Sequence, residues 1–270
     1  MHQLILKELW NTHKARWQEE CGWEIPAAFS QARSEQAALN QDKALTDQSH
    51  RGKIRVSGSA AASFLNRMLT SDIQSLPPGT GQRSFLLSSQ GKCLADFRIF
   101  KTPDYFFLDT EPGLAAEAIQ LLDRYVITDD VSLTNITETW IHLSIDGSKA
   151  YQVSENLKKE LPGSFIFDLP ETASLSGLPA VHWLADESLS AEIIQAILKL
   201  HFPFCGHQSF NQTRLKHKIP RFRIDFDETW FLNETGLEET AASETKGCYP
   251  GQEVVARMKT YKKDVRRLFL

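Results

Sequence analysis

Cysteine is scarce in this sequence, and the four that occur, Cys21, Cys93, Cys205 and Cys248, stand far apart with no Cys-x-x-Cys pair. That spacing argues against a disulfide framework or a structural zinc site, and for reduced thiols in a cytoplasmic compartment. Long apolar runs are missing too. The opening Met1-His2-Gln3-Leu4-Ile5-Leu6-Lys7 is too short for a signal peptide, and no stretch is long enough to span a bilayer, so no membrane partner is expected. Nor is there a surplus of basic charge: the formal net charge is −4, which gives no general field for DNA or RNA, and direct nucleic-acid binding is not expected. What is present is a chain of 270 residues, 41% of them hydrophobic. That is more than one compact core usually needs, and it predicts two lobes.

The apolar spacing of Leu4, Ile5, Leu9 and Trp17 predicts one amphipathic N-terminal helix, and the polar stretch from Gln31 to Asp47 predicts a surface segment. Lys53 to Val56 reads as a strand, followed by a helix capped by Ser57 with Phe64, Leu65, Met68 and Leu69 on one stripe. Three short strands follow, over 84–87, 92–100 and 105–109, broken by Gln90-Gly91 and Pro103-Asp104, and predict an antiparallel meander. A helix over 114–125 and a strand over 131–133 complete this unit. A second unit repeats the style, with strands at 140–145, 165–169 and 180–184 and helices at 148–161 and 190–200; Ile193, Ile194, Ile197 and Leu198 form the latter's apolar face. Hairpins mixed with helices predict an α+β fold rather than a parallel doubly wound sheet, with a cleft between two lobes.

Two segments carry chemistry. In Lys246-Gly247-Cys248-Tyr249-Pro250-Gly251-Gln252-Glu253-Val254-Val255-Ala256-Arg257, Pro250-Gly251 predicts a turn opening into a helix. Glu253 then falls in the first turn and four residues before Arg257, the spacing of an ion pair. Cys248 lies just upstream, two residues from Lys246. Helix N-termini and ammonium groups favour thiolates, so the residue types admit a reactive thiol; a tight glycine-rich loop in which Cys248 merely packs is equally open. In Gly91-Lys92-Cys93-Leu94-Ala95-Asp96-Phe97-Arg98-Ile99-Phe100, strand alternation turns Cys93, Ala95, Phe97 and Ile99 to one face. Leu94, Asp96, Arg98 and Phe100 take the other, as a solvated ion pair or as a polar patch for a heteroaromatic ligand.

The Lys-Gly-Cys-Tyr-x-Gly-Gln-Glu-x-x-Ala-Arg pattern over 246–257 resembles the signature of the YgfZ-like folate-binding proteins. These belong to the glycine-cleavage T-protein (aminomethyltransferase) superfamily and are related to mitochondrial iron–sulfur assembly factors. The segments 50–58, 64–73, 211–214 and 233–237 resemble the same family in the same order. The resemblance implies ferredoxin-like, T-protein-type lobes around a cleft for tetrahydrofolate or another reduced folate. Asp96 falls where the superfamily places a folate-meeting Asp; with it come Arg98 and Lys246 as folate contacts and Cys248 as the chemical residue. Gly247, Tyr249, Gly251, Gln252, Glu253 and Arg257 support the motif. The expected lobes are 44–135, and 1–43 with 136–258; the family's C-terminal β-barrel would begin over 259–270 and is expected to be absent or truncated.

The function implied is that of a folate-binding accessory protein for iron–sulfur cluster assembly or repair, including clusters of enzymes that modify tRNA. Its partners would be iron–sulfur proteins or their assembly machinery. A glycine-cleavage aminomethyltransferase is the alternative, favoured by Asp96 and opposed by the cysteine signature and by the lack of a Tyr-Thr-Gly-Glu motif after the first lobe. A scaffold that binds proteins without any folate is a third reading. The group His201, Cys205 and His207 has the side-chain types of a metal site but the spacing of none, and no metal is expected.

Overall fold

The computed structural model describes residues 1–161, 163–261 and 266–268. The fold is α+β and divides into two compact units, each built from two stretches of chain: Met1–Arg51 with Ile136–Ile219, and Gly52–Asn135 with Pro220–Leu270.

In the first unit a four-stranded sheet runs in the order Phe165–Leu169, Ala180–Asp186, Trp140–Asp146, Ala44–Asp47, antiparallel throughout. Its alternation is clear in Trp140–Asp146. Ile141, Leu143 and Ile145 enter an apolar core with Val181, Trp183 and Ile197, while His142, Ser144 and Asp146 take the opposite, equally buried face. Helix Ser190–Leu200 buries Ile193, Ala196 and Ile197 in that core; Leu198, expected there, is exposed.

The N-terminal part of this unit departs further from expectation. The N-terminal helix covers only Lys7–Thr12; Trp17 lies instead on strand Arg16–Glu20, which forms a hairpin with Trp23–Ala28. The hairpin turns at Cys21-Gly22, both at positive φ (49° and 80°), the backbone that a two-residue turn requires. The polar stretch after Gln31 lies at the surface as expected as far as Lys43, folded as helix Ala32–Gln41 with only Glu35 and Leu39 buried, but its last four residues form strand Ala44–Asp47, every residue of which is buried.

In the second unit a five-stranded antiparallel sheet runs in the order Gly81–Leu87, Cys93–Lys101, Phe106–Thr110, Gly52–Ser57, Ser132–Asn135. The expected meander is its first three strands. Helices Ala61–Met68 and Ala115–Asp123 cover one face, with Phe64, Leu65, Ala118 and Leu122 packed on Ile54, Phe97, Ile99 and Leu108. Ser57 does not cap the first of these helices, whose N-cap is Ala60 and which starts without a side-chain cap.

The other face meets a second apolar cluster in which Phe222, Phe226, Leu232, Tyr249 and Val255 pack on Phe85, Leu87 and Cys93. Residues 220–258 therefore group with Gly52–Asn135, whereas the sequence reading joined them to the other lobe. The reason is packing and long-range polar ties, among them the following two. Thr70 Oγ1 donates to the Ala241 carbonyl (2.6 Å), and the Lys246 ammonium donates to the Asn66 carbonyl (2.6 Å). Over 259–270, residues 259–261 close helix Gln252–Tyr261; residues 262–265 and 269–270 of the expected barrel start lie outside the described residues.

Candidate functional site

Strand Cys93–Lys101 supplies the first part of the site. Its pairing with Gly81–Leu87 runs Arg83↔Arg98, Phe85↔Asp96, Leu86↔Ala95 and then Leu87↔Cys93, so Leu94 has no partner and forms a bulge. The bulge moves Cys93 to the face of Asp96, correcting the simple alternation, and packs it with Phe85 and Leu87. There burial pushes its thiol well above the ordinary range, with the Asp96 carboxylate adding to the effect.

Asp96 is not solvated. It is 0% exposed, with Arg83 and Arg98 at 1% each. Arg83 Nε donates to Asp96 Oδ1 at 3.0 Å, Arg83 Nη2 to Oδ2 at 2.7 Å, and Arg98 Nη1 to Oδ2 at 3.0 Å. Arg83 Nη2 also donates to the Pro220 carbonyl (2.8 Å). Arg83 was absent from the candidate residues. The register that sets it opposite Arg98 is a long-range property, and its only signal was an Arg between Gln82 and Ser84 in a strand-like stretch.

The charged row continues across the sheet, because Arg98 pairs with Asp109 and Asp109 with Lys53, both buried. Residues directly paired share a face, so Lys53, Arg55, Arg83 and Arg98 stand with only Asp96 and Asp109 from these four strands. Beyond the strand end, Glu111 pairs with Arg221 (2.6 Å), which is neutral in sum. Phe100 and Phe107, directly paired, add aromatic surface to the same face. The arrangement has the chemistry of a polar, cation-rich floor flanked by rings.

The cysteine loop lies against this same side of the sheet. Tyr249 and Val255 are in the cluster with Phe85, Leu87 and Cys93. Gly251, at φ +77°, approaches the Ser88–Gly91 turn so closely that a Cβ would stand 2.6 Å from the Ser88 carbonyl oxygen; glycine is required on both counts. The helix begins at Gln252, so Pro250 and Gly251 form the turn before it rather than its first residues. Glu253 occupies the first turn and pairs with Arg257 at 2.5 Å, but both are more than two-thirds exposed, and the pair adds little stability.

Lys246 departs from its expected part as a ligand contact. Its ammonium donates to the carbonyls of Asn66 (2.6 Å), Leu69 and Ser71 (2.9 Å), which uses all three N–H groups at the C-terminal end of helix Ala61–Met68. Burial draws its pKa down to about 8, opposed by the nearby Asp72 charge. Its Nζ also sits 5.0 Å from the Tyr249 ring centroid. Lys246 ties the loop down, while Gly247 has open space around it and Cys248 is exposed.

None of the four cysteines is in a disulfide. The His201, Cys205, His207 group is dispersed in its uses: His207 Nε2 bonds the Asp47 carbonyl (2.8 Å), and Cys205 is buried with its thiol pushed up by desolvation. Among the described residues no three His, Cys, Asp or Glu side chains converge for a metal, and no helix is long and apolar enough to cross a membrane.

The family model of the GCVT N-terminal domain matches residues 6–176, more than half of the chain. An aminomethyltransferase of Halalkalibacterium halodurans is 28% identical over 256 residues, covering 88% of this chain and 70% of its own. One from Exiguobacterium sibiricum is 25% identical over 252 residues, covering 88% and 69%. The crystal structure of glycine cleavage system aminomethyltransferase T from Bartonella henselae superimposes with a TM-score of 0.82 at 18% identity, covering 96% of this chain and 75% of that one, and shares the fold.

Proposed function

The chain belongs to the GCVT N-terminal domain family, and on that premise we propose that it binds tetrahydrofolate or a related reduced folate on the sheet face that carries Asp96. The observation that carries the proposal is the buried Arg83–Asp96–Arg98 cluster, in which Arg83 Nη1 has no hydrogen-bond partner among the described residues. A buried guanidinium donor left over is costly unless something accepts from it, and an oxygen-rich heteroaromatic ligand fits that requirement. Phe100 and Phe107 on the same face suit the flat ring system. A reduced folate would supply a carrier for one-carbon units. Lys246, with its donors committed to carbonyls, stands outside the proposed ligand set and holds the Cys248 loop.

In the reading we favour, the folate-bound protein supports the assembly or repair of iron–sulfur clusters, including those of tRNA-modifying enzymes. Support comes from the cysteine signature and from the exposure of Cys248 on a loop anchored by Lys246 and Gly251, where its sulfur is open to iron or to a partner's thiol. A second reading, transfer of an aminomethyl carbon to folate, is favoured by the names of the relatives. The test is genetic and biochemical. Cys248→Ser should fail to restore iron–sulfur enzyme activity in cells lacking the protein, and the unmodified protein should be inactive in a glycine-cleavage assay with purified lipoyl carrier protein. Full rescue by the serine variant removes the thiol from the account, and turnover in the glycine assay replaces the first reading by the second.

A further inference from the structure

Resting on the folate-binding reading, we infer that Arg83 is the residue that meets the ligand and fixes its specificity, and that Asp96 acts through it as a positioning residue. Asp96 is close to saturated: its two oxygens already accept three hydrogen bonds from guanidinium groups, of about four acceptor positions that a carboxylate offers. Arg83 is oriented by the side-on pair to both Asp96 oxygens and by the Pro220 carbonyl, which fixes the guanidinium plane and leaves Nη1 over. A planar group locked on one edge with a spare donor on another is pre-organised for an oxygen acceptor.

The surrounding charge points the same way. Four cations and two acids on this face of the four strands leave an excess of positive charge, which favours an acceptor with negative or partial negative charge. In a reduced folate that acceptor is either a carboxylate of the glutamate tail or the ring carbonyl oxygen. The Asp96 carboxylate, by contrast, is directed at protein donors. Its removal reaches the ligand by releasing Arg83.

The experiment is a double-mutant cycle in the full chain, with affinities for tetrahydrofolate and for folinic acid measured by calorimetry and folding checked by thermal unfolding. Arg83→Lys keeps the charge but cannot span both Asp96 oxygens, the Pro220 carbonyl and a ligand at once; it should weaken binding roughly ten- to hundredfold. Asp96→Asn should weaken binding less, and in an Arg83→Gln background it should have no further effect, because the residue through which it acts is gone. Tetrahydrobiopterin, which lacks the tail, identifies the acceptor: loss of the Arg83→Lys effect with this probe assigns a tail carboxylate, and an equal effect assigns the ring oxygen. Unchanged tetrahydrofolate affinity in a folded Arg83→Lys protein, or additive effects of the two substitutions, overturns the inference while leaving the folate reading intact. Absence of binding by the unmodified chain overturns both.

Discussion

Replacing Asp96 by alanine should damage folding before it damages any ligand contact. The carboxylate bridges Arg83 and Arg98, which stand directly opposite each other on paired strands, and all three are buried. Removing it breaks three charge-assisted hydrogen bonds of 2.7–3.0 Å and leaves two guanidinium groups facing each other out of water. Loss of one partner from a buried ion pair typically costs about 3–5 kcal/mol, because the remaining charge is stranded. Asp96→Asn keeps one acceptor oxygen and should fall between the two. Urea unfolding followed by tryptophan fluorescence reads the effect, with Trp230 the reporter inside the Gly52–Asn135 and Pro220–Leu270 unit. A loss below about 1 kcal/mol for Asp96→Ala would refute the reasoning, since a carboxylate with that little effect is not neutralising buried arginines.

Other expectations follow from the same physics. Burial raises Asp146 from 3.8 to about 6, opposed by the hydrogen bond that Ser176 Oγ donates to its Oδ1 (2.5 Å). A carboxyl whose folded-state pKa is raised contributes stability that is complete below about pH 3.8 and is lost as pH rises through 6; the difference of about 2 units corresponds to roughly 3 kcal/mol. Asp146→Asn should therefore flatten the stability profile between pH 4 and 8, and unfolding series at several pH values will show whether it does. Gly251→Ala should lose at least about 1–2 kcal/mol from left-handed backbone alone, and more from the contact with the Ser88 carbonyl, in a chemical denaturation series. Iodoacetamide at neutral pH should label exposed Cys248 and Cys21 and spare buried Cys93 and Cys205, as read by peptide mass spectrometry; early modification of Cys93 would contradict the bulge that buries it.

The elements legible in the sequence were those whose periodicity is local. The meander over 81–110 and the strands at 140–146 and 180–186 alternate in step with their two faces. What stayed hidden depends on distant partners. Trp17 fits a helical spacing with Leu9 but belongs to a hairpin whose turn, Cys21-Gly22, is not a common turn pair. Ala44–Asp47 is too short and too polar to announce itself, yet it pairs with Trp140–Asp146 some hundred residues away. At the site, Asp96 and Arg98 were visible as a pair, but their burial and the third member, Arg83, depend on strand register. Lys246 looked like a neighbour of the thiol because the two are close in sequence; three carbonyls from residues 66–71 decide where its ammonium goes.

The most direct test of the central claim is calorimetric titration of the unmodified chain with tetrahydrofolate under anaerobic conditions. Saturable binding at one site per chain, weakened in Arg83→Lys, is the expected result. A folded protein that gives no saturable binding with tetrahydrofolate or with folinic acid would contradict it.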